Sequence, residues 1–84
     1  MMNFKQYPNM TRCVISDGTP LSTTDFSNAF SDMQNLKNVV LPNNITNLWN
    51  TFYNCTNLTT AVCGPNVAMM DNAYYNCKNI VTPV

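Results

Sequence analysis

The chain has 84 residues and carries four Lys or Arg against four Asp, with neither Glu nor His. A formal balance of zero, with charged residues at only 10%, excludes a basic nucleic-acid footprint and an acidic tail. A 45% hydrophobic content speaks against disorder, and no apolar run approaches the roughly 20 residues of a membrane span.

Taken in order, the chain opens on Met1–Pro8, which holds no apolar core of a signal peptide. A surface location is therefore expected only of a fragment, and otherwise an intracellular or virion-associated one. Residues 1–13 fit the pattern that follows poorly and are read as an N-terminal cap or edge segment. Beyond them the chain repeats. Tyr-Asn-Cys stands at Tyr53–Cys55 and again at Tyr75–Cys77, 22 residues later. At that period the chain divides into 14–35, 36–57, 58–79 and a partial 80–84, with no insertion. The first column reads Val14, Leu36, Leu58, Ile80, and another Phe26, Leu48, Met70. Two more are asparagine throughout: Asn28, Asn50, Asn72 and Asn35, Asn57, Asn79. Small, aromatic and soft columns follow as Ala29, Thr51, Ala73, then Phe30, Phe52, Tyr74, then Met33, Cys55, Cys77.

Each unit is expected to begin with a short strand, written most clearly as Leu36–Leu41. Alternation turns Val39 and Leu41 inward and Asn38 and Val40 outward. Pro20, Pro42 and Pro65 mark the strand ends. The return limb places Ile45, Leu48, Phe52 and Cys55 three or four residues apart, which suits one helical turn or a 3₁₀ piece. The abundance of Asn, fifteen residues, argues against a long helix there. In a tight coil the Asn columns are expected to turn inward and satisfy corner backbone groups.

The run Asn28–Pro42, with Asn72–Ile80 repeating its first part, resembles the BspA-type leucine-rich repeat. That family has a small-aromatic pair, then a Cys, then a Leu, then a short strand ending in Pro. The departures are Asp17 and Thr19 in the first strand and Cys63-Gly64-Pro65 at the end of the third. The resemblance implies an α/β repeat solenoid, a right-handed coil. It would have one parallel sheet of about four short strands and short helical or irregular return limbs. It also implies a protein-interaction module.

Little in the chain offers chemistry. Without His no Ser-His or Cys-His pair can form, two glycines make no phosphate loop, and the four Asp are scattered. No catalytic, cofactor or metal residues are assigned, and no enzyme is expected. Cys13, Cys55, Cys63 and Cys77 form no C-x-x-C, and Cys55 and Cys77 are read as buried free thiols sharing a column. Four Asn-x-Thr triplets, at Asn9, Asn44, Asn54 and Asn57, are what so much Asn and Thr gives by chance. Tyr53 and Tyr75 are expected to point outward, and Trp49 to be exposed or half-exposed.

The outward strand face is expected to carry Ser16 and Gly18, Asn38 and Val40, Thr60 and Val62, Thr82 and Val84. Of these, Asn38, Val40, Thr60, Val62, Thr82 and Val84 are the candidate partner-binding residues. The partner is a protein, self or heterologous, or a glycan, with nucleic acid and membrane insertion excluded. The alternative is a structural assembly subunit, of a viral particle or an appendage, that stacks through its open C-terminal strand. An oligomer or a place in a larger assembly is expected, because a final strand without a return limb leaves an edge that proteins cover or use.

Overall fold

The computed structural model describes residues 2–81. Three short strands, β1 (Arg12–Val14), β2 (Asn38–Val40) and β3 (Thr60–Val62), form one parallel sheet in chain order. Parallel neighbours need a long crossover. Here the crossovers are the return limbs, residues 15–37 and 41–59, followed by a third limb from residue 63.

None of the described residues is helical, so of the expected helical or irregular limbs the helical alternative is corrected. Each limb is built from consecutive four-residue turns closed by a backbone bond from residue i+3 to residue i. In the second limb Thr51 N–H donates to the Leu48 carbonyl at 3.0 Å, and Cys55 N–H to Phe52 at 3.1 Å. Phe26–Ala29, Phe30–Met33, Met70–Ala73 and Tyr74–Cys77 close in the same way. The third residue of each turn sits at positive φ: Asn28 at 58°, Asp32 at 63°, Asn50 at 54°, Asn54 at 62°, Asn72 at 56° and Asn76 at 59°. Left-handed backbone at the third position is the mark of a type II turn, and Asn and Asp tolerate it best after Gly. An α-helix cannot pass through such residues. The asparagines that argue against a long helix therefore specify a different structure outright.

Turns stack on turns through a second parallel ladder, seen in the bridges Asp25–Asn47 and Asn47–Met69. The N–H groups of Phe26, Asn28, Phe30 and Asp32 donate to the carbonyls of Asn47, Trp49, Thr51 and Tyr53 at 2.8–3.0 Å. One limb further on, Leu48, Asn50, Phe52 and Asn54 donate to Met69, Asp71, Ala73 and Tyr75 at 2.8–3.1 Å.

The first strand is not where a strict 22-residue period puts it. Asn38 pairs with Thr60, 22 residues on, but Arg12 pairs with Asn38 across 26. The first limb thus holds four more residues than the second, in the loop that carries Gly18 at φ 82° and Pro20. Val14 consequently does not belong with Leu36 and Leu58. It is 51% exposed, whereas both leucines are fully buried. The inner place falls to Met10, partly buried against the core. β1 lies across residues 13 and 14, where a terminal segment was expected to end. Residues 4–11 follow the same register: Phe4 N–H donates to the Ala29 carbonyl at 3.0 Å, as Phe30 does to Thr51.

The core lies between sheet and turns. Phe26, Phe30, Leu36, Val39, Ile45, Leu48, Phe52 and Leu58 are fully buried. Phe4, Phe30, Phe52 and Tyr74 form a stacked column with centroid separations of 4.6, 5.5 and 5.5 Å. Like residues meet because each side chain rests on its own counterpart, so a column keeps its shape.

Of the expected fourth strand, Thr82, Pro83 and Val84 lie outside the described residues. Ile80 is half-buried, and Val81 N–H donates to the Thr59 carbonyl at 2.9 Å, as Thr59 does to Lys37.

Candidate functional site

Two rows of side chains cross the outer face of the sheet in register. One is polar, Arg12, Asn38 and Thr60, and the other is aliphatic, Val14, Val40 and Val62. Asn38 is exposed, Val40 and Thr60 are half-buried, and Val14 and Val62 are 51% and 45% exposed. The first strand contributes Arg12 and Val14 in place of the expected Ser16 and Gly18, which sit in the extra loop. Thr82 and Val84 lie outside the described residues.

Beyond the valine row the strands end at a groove of about 380 Å³, lined in part by Val14, Val40, Val62, Asp17, Asn43 and Cys63. Its walls are held by two local devices. The Asp17 carboxylate accepts the Asn43 N–H at 2.7 Å, tying the extra loop to the turn after β2. Gly64 packs so tightly on Asn43 that a Cβ there would meet the Asn43 Cα and lie 2.7 Å from its carbonyl oxygen. Inside the wall, burial pushes the Cys63 thiol up to about 11. That thiol is therefore neutral at neutral pH, and it shares the groove with the Asp17 side chain, the Asn43 amide and a valine edge. Among the described residues no cluster of His, Cys, Asp or Glu is suited to holding a metal ion.

The expected ladder residues are placed as follows. Asn35, Asn57 and Asn79 are exposed, not inner, and donate their side-chain amides to the carbonyls of Pro8, Gln34 and Thr56 at 3.2, 2.7 and 2.9 Å. Among the described residues they satisfy acceptors only, one layer back. Asn28, Asn50 and Asn72 serve the left-handed turn position, and the buried Oδ1 of Asn50 receives no hydrogen from a described residue. The expectation that these amides satisfy corner groups of both kinds is corrected: backbone geometry selects them. A third column, Asp32, Asn54 and Asn76, forms a side-chain ladder. Asn54 donates to Asp32 Oδ1 at 3.0 Å, and Asn76 to Asn54 Oδ1 at 2.6 Å.

Cys55 and Cys77 are buried free thiols that donate to the Phe30 and Phe52 carbonyls, each at 3.0 Å. Burial pushes Cys55 up to about 12 and raises Cys77. Both remain protonated donors at neutral pH, which explains why the column takes sulfur: the thiol fills apolar space and caps a carbonyl. Thr51 does the same for the Phe26 carbonyl at 2.8 Å. Phe30 and Phe52 are fully buried and Tyr74 half-buried. Trp49 is 39% exposed, and Tyr75 is 56% exposed, stacked on Tyr53 at 4.8 Å.

Arg12, Val14 and Asp17 were the site residues that a strict period missed. A signal existed: Asn9-Met10 repeats the pairs Asn35-Leu36, Asn57-Leu58 and Asn79-Ile80, once four inserted residues are allowed.

Short parallel strands joined by stacked turns, column resting on column, define a repeat protein of the leucine-rich-repeat class. The chain belongs to the BspA type leucine rich repeat family: the model of that region (6 copies) matches residues 2–82. No curated protein and no solved structure gives a match. The family points to a protein-interaction module in general terms, and such repeats are typically non-enzymatic.

Proposed function

We propose that the chain is a short solenoid module that binds an extended segment of a partner protein across the outer face of its sheet. The observation that carries this is the in-register row Val14, Val40 and Val62, left exposed beside a groove and flanked by a polar row. An aliphatic row with amide and hydroxyl neighbours fits a peptide backbone with small apolar side chains, since apolar contact supplies affinity and fixed polar groups supply orientation. Arg12 brings the one charge of the two rows, so a segment with an acidic residue at that end is favoured. A glycan is the competing ligand on the same face.

Panning a random 12-residue peptide library against the purified chain tests this. Enriched peptides are expected to lose binding at least about tenfold with Val62→Lys or Val14→Lys, since an ammonium would be desolvated against the ligand. Lys37→Ala, off the two rows, is expected to leave binding unchanged. Enrichment of peptides indifferent to both valine variants would overturn the reading. So would a failure to enrich any peptide while a glycan array gives binding that the valine variants abolish.

A further inference from the structure

The groove at the strand ends joins two kinds of surface. Its apolar part is the edge formed by Val14, Val40 and Val62, and its one acidic residue is Asp17. Among the described residues no lysine or arginine lines it. Asp17 uses one oxygen within the chain: Oδ1 accepts the Asn43 N–H at 2.7 Å, while no described residue donates to Oδ2. Asp17 is exposed, as is Ser16 beside it. The carboxylate is anchored by its bond to Asn43, and Asn43 is pinned in turn by Gly64, whose Cβ position falls on the Asn43 backbone. A group held in place before binding loses little freedom when a ligand arrives. At about 380 Å³ the groove stands at the small end of ligand sites, with room for one long side chain.

Such a pairing selects among side chains. An aliphatic one would cover the Asp17 carboxylate and give it no hydrogen, leaving an acceptor desolvated and unpaired. An acidic one would set like charges together. Lysine and arginine combine a methylene stem with a charged donor head, so the stem lies on valine while the head meets oxygen.

We propose that this groove is the subsite for a lysine or arginine side chain of the bound segment, its stem along the valine edge and its head at Asp17 Oδ2. The inference rests on the peptide-binding reading of the sheet face and adds the residue class that this end of the face selects. Arg12 opens β1, and Asp17 lies beyond its last residue, Val14. The face thus carries opposite charges at the two ends of one strand, and the segment that fits it has an acidic residue at one end and a basic one at the other. Because one oxygen of Asp17 already serves Asn43, the fork of arginine gains no second bond there, and lysine is bound as well as arginine.

NMR titration of the isotope-labelled full chain tests this with two defined probes. One is acetyl-Ala-Lys-Ala-amide, and the other replaces its lysine by norleucine, which has the stem without the ammonium. The lysine probe is expected to shift the amides of Val14, Val62 and Cys63 and to bind about fivefold more tightly than the norleucine probe. Asp17→Asn, which keeps an oxygen for the Asn43 N–H, is expected to remove that difference. Should Asp17→Asn fail to fold, Ser16→Lys brings an ammonium of the chain's own beside an unaltered Asp17 and is expected to remove it too. Equal binding of the two probes, shifts confined to other faces, or a lysine preference that survives both variants overturns the inference. The peptide library reads the face separately. Valine-dependent peptides without a basic residue would overturn the subsite and leave the face standing. An Asp17-dependent lysine preference with no peptide enriched would support the subsite while overturning the extended-segment reading.

Discussion

Asn50 holds its backbone at φ 54° and gains nothing from its buried Oδ1 among the described residues. Left-handed backbone costs a residue with a Cβ about 1–2 kcal/mol, and Asn offsets part of that through local polar contacts. Glycine pays no such steric cost, though it loses more entropy on folding. Asn50→Gly is therefore expected to leave stability within about 0.5 kcal/mol of wild type, while Asn50→Ala lowers it by about 1 kcal/mol. Urea denaturation of the two variants measures this. Equal effects would show that the side chain, and not the backbone angle, selects asparagine here. The same logic explains why so much Asn is compatible with order: two of every four turn residues need not pack, but one must tolerate positive φ.

At the scale of elements, a tight strand end shapes the groove. Gly64 meets the Asn43 backbone so closely that an added methyl must displace one strand end from the other. Gly64→Ala is expected to cost about 1–3 kcal/mol, as overpacking does, read as a lower thermal midpoint. A midpoint within a degree of wild type would show that the two turns are not locked together. The limbs also show what was legible in the sequence. The columns Phe30, Phe52, Tyr74 and Cys55, Cys77 came from the period alone, since a stacked residue rests on its counterpart. The helical reading of Ile45, Leu48, Phe52 and Cys55 failed for a physical reason. Consecutive four-residue turns bring every fourth side chain inward, which imitates the helical spacing. The distinguishing mark was Asn or Asp at every fourth place, in 28 and 32, 50 and 54, 72 and 76. β1 was misplaced because a period without insertions cannot absorb the loop around Gly18, and the outer face was misassigned with it.

Across the whole molecule, stability comes from two parallel ladders, the sheet and the stacked turns, that enclose one column-built core. Such a body is only as long as its stack, and each layer depends on its neighbours. The N-terminal segment extends it, with Phe4 laid on Phe30 at 4.6 Å. Among the described residues none accepts from the Met70, Asn72 and Asn76 N–H groups. The sheet face proposed for a partner rests on the stacked turns being real and rigid. Amide hydrogen exchange by NMR, on dilute protein, tests that most directly. The amides of Phe26, Asn28, Phe30, Asp32, Leu48, Asn50, Phe52 and Asn54 are expected to exchange at least about a hundredfold more slowly than those of Met70, Asn72 and Asn76. Uniformly fast exchange across both groups would contradict the account, because limbs without ladder bonds could not hold the sheet face in place.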